Sequence, residues 1–378
     1  MNKCIVCGRV LEEKLIEFSN MPRAAQNMPD KNDLAKEKGI TLSLYECPGC
    51  GVIQFDAPPV EYYRDVIRAT KVSEKFHKLR KKQYEHFIDL FGLKNKTILE
   101  VGCGAGEFLE IWKDYPVHAT GIEHNTNLVK IAYNQKLDVI EGYIESENDI
   151  LKGAPFDAFV SFNFLEHQPN PNGMLRGIYE NLTEDGVGLI TVPSFEYFQE
   201  NGCYYEFLRD HIVYYTKDSI ERVLQLNGFE VVESTIFNQD TLEVLVRKRK
   251  KTKLTDYLGQ KKRLEIAVNK YLSQVEGKIY VWGASHQAFT LLSTLHFSSK
   301  IDGVIDSAAF KWGKYTPASH IPIFSPDILS SITPNCIIIM APGFSDEIFN
   351  QILSLNPNVE NIITIKDGEV YVLRWGKI

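Results

Sequence analysis

Residues 97–112 have the sequence TILEVGCGAGEFLEIW, and this stretch decides the fold class. An apolar strand pattern leads into Gly102, Gly104 and Gly106, and a helical pattern follows. Glycines at such a turn let the backbone approach a ligand closely, and they bring a helix N-terminus beside it. The stretch therefore predicts the first strand–loop–helix unit of an α/β domain that binds a cofactor at its loop.

Strand and helix patterns continue to alternate after this loop. Short apolar runs recur in HATGIEH, DVIEGYI, FDAFVSFNF and GVGLITV, as is typical of a parallel sheet. Only NQD separates FEVVESTIF from TLEVLVRK, so these runs predict a hairpin that adds an antiparallel strand at the sheet edge. The alternation resumes in KIYVWG, IDGVIDS, CIIIMAP and NIITI and predicts a second, smaller Rossmann-like domain.

The length of 378 residues exceeds what one hydrophobic core usually serves, so several domains are expected. We predict a cysteine-containing domain over residues 1–75, the glycine-loop domain over 76–250 and the smaller Rossmann-like domain over 251–378. The start, MNKCIVCG, lacks the features of a signal peptide, and no apolar run approaches the roughly 18 residues of a membrane span. These features favour a cytoplasmic protein that does not enter a membrane.

The charge balance argues against a general attraction to nucleic acid. The formal net charge is −7, which disfavours association with polyanions. Residues 247–263 hold nine Lys or Arg residues, but in an acidic chain such a run is more typical of a solvated linker and helix face.

Two C-x-x-C pairs lie in the N-terminal segment, in CIVCG and CPGCG. Cys4, Cys7, Cys47 and Cys50 offer four thiolates with thirty-nine residues between the pairs. This arrangement predicts a tetrahedral Zn²⁺ site, and four sulfur ligands leave no open position, so the zinc is expected to be structural. A redox role for either pair is the alternative, although neither pair adjoins a strand–helix unit.

Acidic residues around the glycine loop favour S-adenosylmethionine over a dinucleotide. Glu100 precedes the loop, and Glu107 follows it where a pyrophosphate would need a neutral or positive surface. Carboxylates repel a phosphate and suit a sulfonium cation. Glu123 ends the next strand about twenty residues on, where a carboxylate can accept hydrogen bonds from ribose hydroxyls.

These residues, together with FDAFVSFNFLEHQPNP and the closing hairpin, resemble the class I S-adenosylmethionine-dependent methyltransferases. The resemblance implies a Rossmann-like, seven-stranded sheet that ends in an antiparallel hairpin. It also implies that Glu100, Gly102, Gly104 and Gly106 form the cofactor loop and that Glu123 binds the ribose. Tyr143 or Ile144 would border the adenine, and Asn163 and Phe164 would face the methyl group.

An acid and a histidine, Asp210 and His211, stand side by side in FLRDHIVYYT, residues 207–216. One interpretation is packing at a helix start, because Thr216 and Ser219 can cap a following helix. The other is that Asp210 poises His211 near neutral pH as a general base close to the methyl donor.

The whole chain resembles the three-domain, zinc-containing sugar C-methyltransferases, which methylate nucleotide-linked 4-keto deoxysugars. The segment GKYTPASHIPI carries this resemblance outside the cysteines. It implies that His211 with Asp210 deprotonates the carbon beside the ketone and that His167 lines the site. Carbon becomes nucleophilic only after an α-proton is removed, so C-methylation needs a positioned base and a group that stabilises the enolate oxygen.

The chain departs from that family on the acceptor side. Leu208 replaces an aromatic hydroxyl, Arg68 lies near the position of a substrate-contacting tyrosine, and the hairpin loop is NQDT. Arg68 is therefore a candidate for binding a carboxylate or phosphate of the acceptor. Tyr214 is a candidate for supplying the missing hydroxyl, as are Tyr204 and Tyr205.

Three functions remain open from the sequence. The first is C-methylation of a nucleotide-linked keto deoxysugar, with a small-molecule partner and a monomeric or dimeric enzyme. The second is O- or N-methylation of a glycan precursor or another small, anionic metabolite. The third is a zinc-ribbon protein that binds nucleic acid and keeps an inactive methyltransferase fold. A nicotinamide enzyme is disfavoured, because VWGASHQA is a poor dinucleotide fingerprint.

Overall fold

The computed structural model describes residues 3–65, 73–254 and 256–376. The chain divides into two compact units, Met1–Lys251 and Thr252–Ile378. The residues of the predicted zinc-binding domain belong to the first unit, and the three-domain division stays a prediction.

The first unit contains both sheets that concern the site. Its strands are β1 (Lys14–Met21), β2 (Ile40–Glu46), β3 (Ile53–Phe55), β4 (Thr97–Val101), β5 (His118–Glu123), β6 (Val139–Glu141), β7 (Phe156–Phe162), β8 (Leu182–Pro193), β9 (Val213–Tyr214), β10 (Phe229–Phe237) and β11 (Thr241–Lys248). Its α-helices are α1 (Glu74–Phe91), α2 (Thr126–Asn134), α3 (Pro171–Glu180), α4 (Phe195–Glu200) and α5 (Lys217–Leu226). Short 3-10 helices lie at Leu109–Asp114, Leu165–His167 and Tyr204–Glu206.

The larger sheet of this unit has seven strands in the order β10-β11-β8-β7-β4-β5-β6. Strands β8, β7, β4, β5 and β6 are parallel, whereas β11 runs antiparallel to both β8 and β10. Apolar cores cover both faces of the sheet, which explains why the central strands are continuous apolar runs. The predicted α/β fold with a closing hairpin is confirmed.

The segment after the glycine loop differs from its predicted helix. The chain turns at Cys103–Gly106 and enters only the short 3-10 helix Leu109–Asp114. Gly106 has φ of 90°, and a helix cannot continue through a left-handed residue, so the loop delays helix formation. Trp112 then stacks on Tyr84 of α1, with ring centroids 3.5 Å apart.

The smaller sheet of this unit has the strand order β1-β2-β3-β9. The first three strands come from the cysteine-containing segment, but β9 comes from residues 213–214, between β8 and α5. Ile53 pairs with Tyr214 and Gln54 with Val213. The N-terminal segment is thus joined by backbone hydrogen bonds to the stretch that follows His211.

Helix α5 begins as the sequence predicts. The Thr216 hydroxyl accepts a hydrogen bond from the Ser219 backbone at 3.0 Å, and the Ser219 hydroxyl accepts one from the Thr216 backbone at 2.9 Å. This reciprocal capping box satisfies two backbone donors at the helix start. It fixes where the chain leaves β9.

The second unit has a six-stranded sheet in the order β14-β13-β12-β15-β16-β17. Its elements are α6 (Tyr257–Leu272), β12 (Ile279–Trp282), α7 (His286–Thr294), β13 (Gly303–Ile305), β14 (Ile323–Phe324), β15 (Cys336–Ile339), α8 (Ser345–Leu355), β16 (Asn361–Lys366) and β17 (Glu369–Arg374), with 3-10 helices at Ser298–Lys300, Ala309–Lys311, Pro326–Ser330 and Pro342–Phe344. All of its strands are parallel except β17. Within the described residues, no helix combines the length and apolar character needed to cross a bilayer.

Candidate active site and metal site

The two cysteine pairs form matching backbone turns. Cys4 donates its N–H to the Arg9 carbonyl and accepts from Gly8, at 2.8 and 2.9 Å. Cys47 makes the same two bonds with Val52 and Gly51, at 2.8 and 2.9 Å. Gly8 and Gly51 both have φ of 73°, a left-handed conformation that glycine adopts without steric cost.

The four cysteines converge on one point. Their sulfur atoms all lie within 4.8 Å of one another; the Cys4–Cys50 and Cys7–Cys47 separations are 3.5 and 3.3 Å. Three are buried, and Cys7 is exposed. Two turns that aim four thiols at one centre fit a tetrahedral metal ion bound by sulfur, as in structural zinc sites.

The glycine loop has the geometry that a close ligand approach requires. Gly102, Gly104 and Gly106 all have positive φ, at 73°, 60° and 90°. A Cβ atom on Gly102 would lie 3.2 Å from the Phe164 ring, and one on Gly106 would lie 2.3 Å from Leu137. Both the conformation and the available space therefore demand glycine at these positions.

Two buried acids flank this loop. Glu100 lies in β4, 1% exposed, and Glu123 ends β5, also 1% exposed. The Glu123 carboxylate accepts hydrogen bonds from the backbone N–H groups of Gly104, at 3.0 Å, and Asn125, at 2.8 Å. Burial raises the pKa of Glu123. Its position at the strand end beside the loop is the one predicted for a ribose-binding carboxylate.

Tyr143 and Ile144, the two candidates for bordering the adenine, lie in different surroundings. The ring of Tyr143 lies 6.1 Å from those of both His124 and Phe164, whereas Ile144 is buried in the core, where it would contact a Cβ on Gly177 of α3. The structure thus brings Tyr143, but not Ile144, together with Phe164 beside the loop.

Asn163 directly follows β7 and has a left-handed conformation, with φ of 46°. Its side-chain carbonyl accepts a hydrogen bond from the Thr191 hydroxyl at 2.8 Å, and its backbone N–H donates to the Thr191 carbonyl at 2.9 Å. These bonds fix the direction in which the chain leaves the sheet toward Phe164 and His167.

His167 and His211 pack against each other. Their ring centroids are 4.7 Å apart, with an interplanar angle of 78°. The His167 Nδ1 atom lies 2.8 Å from the Asp210 carbonyl oxygen; because a carbonyl only accepts, Nδ1 donates here. Burial lowers the pKa of His167, and burial together with His167 lowers the pKa of His211 to about 3.

The expectation that Asp210 poises His211 near neutral pH is wrong. The Asp210 carboxylate accepts hydrogen bonds from Tyr62 at 2.6 Å and from the Ala25 N–H at 3.1 Å. The His211 N–H donates to the Leu208 carbonyl within a turn, and the His211 ring packs on His167. The acid beside the imidazole in sequence is therefore not its partner in space.

Sequence analysis missed two residues of this group. One is Tyr62, whose hydroxyl bonds Asp210 from 148 residues away; partial burial and Asp210 raise its pKa to about 12. The other is Glu166, 2% exposed, which lies with His167 and His211 in a cluster whose ligand atoms are within 4.8 Å of one another. Its place in LEHQP, next to His167, was an available signal.

The predicted acceptor-side residues have different outcomes. Arg68 lies outside the described residues. Tyr214 is buried, and its hydroxyl accepts from the Leu208 N–H at 3.0 Å and donates to the Leu208 carbonyl at 3.2 Å. These hydrogen bonds indicate that Tyr214 stabilises the turn that carries His211. Tyr204 and Tyr205 are exposed.

Glu123→Ala is expected to weaken S-adenosylmethionine binding by at least about tenfold. Hydrogen bonds to a charged group are each worth about 1.5–3 kcal/mol, and two such bonds to ribose would be lost. Isothermal titration calorimetry of the variant measures the change. Glu147→Ala, which removes an exposed acid of the same unit, is the control, and equal affinity of the two variants would contradict the assignment.

Comparisons with known families agree with this geometry. Residues 76–234 match the family described as methyltransferase domain, and residues 247–364 match the C-methyltransferase C-terminal domain. C-methyltransferase NovU of Streptomyces niveus is 21% identical over 389 aligned residues, which cover 93% of this chain and 92% of that protein. Ubiquinone biosynthesis O-methyltransferase of Xylella fastidiosa is 30% identical over 100 residues, which cover 25% of this chain and 41% of that protein.

Among solved structures, the PH0226 protein of Pyrococcus horikoshii has a TM-score of 0.41 at 14% identity and covers 51% of this chain and 100% of its own. The plantazolicin methyltransferase BpumL in complex with SAH has a TM-score of 0.38 at 14% identity, covering 46% and 84%. With its glycine loop, its sheet and the matched methyltransferase domain, the chain is an S-adenosylmethionine-dependent methyltransferase.

Proposed function

We propose that the enzyme methylates a carbon atom of a nucleotide-linked keto deoxysugar and that His211 is the general base. The observation that carries this proposal is the histidine pair beside the cofactor loop. An acceptor hydroxyl needs little activation, but a carbon beside a ketone must first lose a proton. Burial keeps the His211 imidazole neutral, so that it has a lone pair to accept this proton, but the same burial lowers its pKa and weakens it as a base.

One short segment supports the placement of base and cofactor side by side. Phe164 lies against Gly102 of the glycine loop, and its carbonyl accepts the His167 N–H at 3.2 Å. His167 in turn packs on His211. When bound, S-adenosylmethionine supplies an electrophilic methyl group, and Glu100, Gly102, Gly104 and Glu123 are the residues proposed to hold it.

His211 is proposed to remove the α-proton. Asp210 has a different part, because its carboxylate holds the Tyr62 hydroxyl. We take the Tyr62 hydroxyl, held by Asp210, as the substitute for the aromatic hydroxyl that Leu208 lacks. We propose that Tyr62 donates a hydrogen bond to the acceptor oxygen, where negative charge develops in the enolate.

We further propose that the four cysteines bind a structural Zn²⁺. The cysteine turns are packed into the first unit by contacts with the methyltransferase core, and the Asn172 amide of α3 donates to the Val6 carbonyl at 2.6 Å. The metal would hold β3 in place, and β3 pairs with β9 beside His211. Zinc thus supports the site without taking part in chemistry.

A panel of nucleotide-linked sugars with [methyl-¹³C]S-adenosylmethionine tests the proposed acceptor. We expect transfer only to keto sugars, and we expect the labelled methyl signal to appear in NMR spectra at a chemical shift typical of a methyl group on carbon. The same sugars after reduction of the ketone to an alcohol are the matched controls. A label on oxygen or nitrogen, or equal transfer to the reduced sugars, would contradict C-methylation.

A further inference from the structure

His211 lacks the carboxylate that the sequence assigns to it. An imidazole that accepts a proton is stabilised when an acid accepts a hydrogen bond from its other nitrogen and holds its tautomer, as in serine hydrolases. Asp210 cannot do this, because its carboxylate is bound to Tyr62 and Ala25. The His211 Nδ1 atom is buried and has no hydrogen-bond partner among the residues that the structure describes.

Glu166 offers the missing acid. Its side chain is buried, and within the described part of the chain its Oε2 atom has no hydrogen-bond partner. One carboxylate oxygen of Glu166 and one ring nitrogen each of His167 and His211 lie within 4.8 Å of one another. Because His167 already donates its Nδ1 proton to the Asp210 carbonyl, His211 Nδ1 and Glu166 Oε2 are the two atoms left to satisfy each other.

We propose that Glu166, and not Asp210, is the acid partner of His211. This inference rests on the proposed function, in which His211 is the base. A small rotation of either side chain, or one bridging water, closes the remaining separation; catalytic hydrogen bonds are often long before the substrate binds. Glu166 acts through His211 and is a positioning residue.

The proton balance follows from this pairing. In the active form Glu166 is a carboxylate, His211 carries its proton on Nδ1, and the Nε2 lone pair faces the acceptor. The α-carbon–hydrogen bond breaks, its electron pair stays with the enolate, and its proton moves to Nε2. The Nδ1 proton passes to Glu166 Oε2. The pair ends as a neutral acid and a neutral imidazole, and the extra proton leaves to solvent after turnover.

Burial favours this direction of transfer. It raises the pKa of Glu166 to about 8 and lowers that of His211, so a proton shared by the pair rests on the acid. The titratable groups that face the pair are His167, Tyr214 and Tyr215. Burial raises the pKa of both tyrosines above the ordinary range, so neither carries charge near neutral pH.

This arrangement predicts a tautomer change with pH. Below pH 8 the protonated Glu166 donates to Nδ1, and the imidazole carries its proton on Nε2, where it cannot act as a base. Above pH 8 the carboxylate accepts from Nδ1–H, and Nε2 is free. Activity should therefore rise as the pH increases through about 8.

Nitrogen NMR of the zinc-loaded full chain, labelled with ¹⁵N-histidine, tests the pairing without an acceptor. We expect the His211 signals to change from the Nε2–H to the Nδ1–H tautomer with a midpoint near pH 8. In Glu166→Gln, which keeps the side-chain volume but cannot titrate, that change should be absent. Asp210→Asn, compared in the same way, should leave it in place. A change that survives Glu166→Gln, or one that Asp210→Asn abolishes, would overturn the proposal.

Two further measurements separate competing explanations. Metal analysis should give one zinc ion per chain; a second ion, lost in Glu166→Gln, would mean that the cluster binds a cation and would overturn the pairing. With a sugar that accepts methyl groups, Glu166→Gln should lower kcat about 10- to 100-fold and remove the rise near pH 8, whereas Glu166→Asp should restore part of both. If the tautomer change is present but no keto sugar is methylated, the proposed function fails and the pairing stands.

Discussion

His211→Ala is expected to reduce methyl transfer to the accepted keto sugar by about 10²–10⁴-fold, the usual contribution of a positioned general base. The Asp210 carboxylate is engaged with Tyr62, and Glu166, the proposed acid partner, acts only through His211. Single-turnover rates with labelled methyl donor measure the loss. Cofactor affinity should be almost unchanged, because His211 is not among the residues proposed to hold the cofactor.

His118→Ala is the matched control, since His118 is an exposed histidine of the same unit at the start of β5. It should retain wild-type turnover. Thermal melting of both variants distinguishes a catalytic loss from misfolding. A loss of less than about tenfold in His211→Ala, with unchanged melting, would argue for methylation of oxygen or nitrogen, which needs less help from a base.

Cys47→Ser is expected to abolish stoichiometric zinc binding and to lower the melting temperature of the first unit. Loss of one of four ligands should weaken metal affinity by at least about 100-fold, more than the loss of a group that only orients a ligand. Cys47 is 1% exposed and belongs to the same apolar cluster as Val223 of α5. Metal analysis and thermal melting, with and without added zinc, measure both effects.

Cys203→Ser makes the same substitution at a buried cysteine of the first unit outside the cluster, and it should keep its zinc. Catalysis should fall in Cys47→Ser although cysteine takes no part in chemistry. The Phe55 N–H donates to the Ile212 carbonyl at 3.1 Å, so a disordered β3 would release the chain next to His211. Full activity in a zinc-free enzyme would contradict this coupling.

Local patterns predicted much of this molecule. The positive φ of Gly102, Gly104 and Gly106, the capping box at Thr216 and the hairpin around residues 238–240 each follow from residues a few positions apart. The order of alternating elements fixed the α/β class for the same reason, because periodicity shows which residues are buried within one element. The converging cysteines are a further local signal.

Partnerships between distant residues could not be predicted. Strand β9 has only two residues and pairs with β3 from about 160 positions away. It is too short for a periodic pattern of apolar residues to predict it. Adjacent positions suggested that Asp210 serves His211, whereas the Asp210 carboxylate accepts its hydrogen bonds from Tyr62 and Ala25. Tyr62 reaches this site through tertiary packing alone, and a single sequence carries no direct record of such a contact.

The second unit also has a strand–loop–helix arrangement, but the carboxylate beside its loop has a different set of partners. Asp306, at the end of β13, accepts the Ala284 N–H at 2.7 Å, as Glu123 accepts that of Gly104 at 3.0 Å. However, Lys311 also binds Asp306, at 2.9 Å. Lys311 thus binds the carboxylate that a dinucleotide ribose would need, which agrees with the poor fingerprint of VWGASHQA.

The pairing of β9 with β3 sets a rule for building chimeric enzymes. A graft of residues 76–250 into another protein would lack β3, so Val213 and Tyr214 would lose their strand partners. Nothing would then fix the conformation of the loop that precedes them. A change of acceptor preference by domain exchange should therefore transfer residues 3–65 and 204–216 together, although about 140 residues separate them in the sequence.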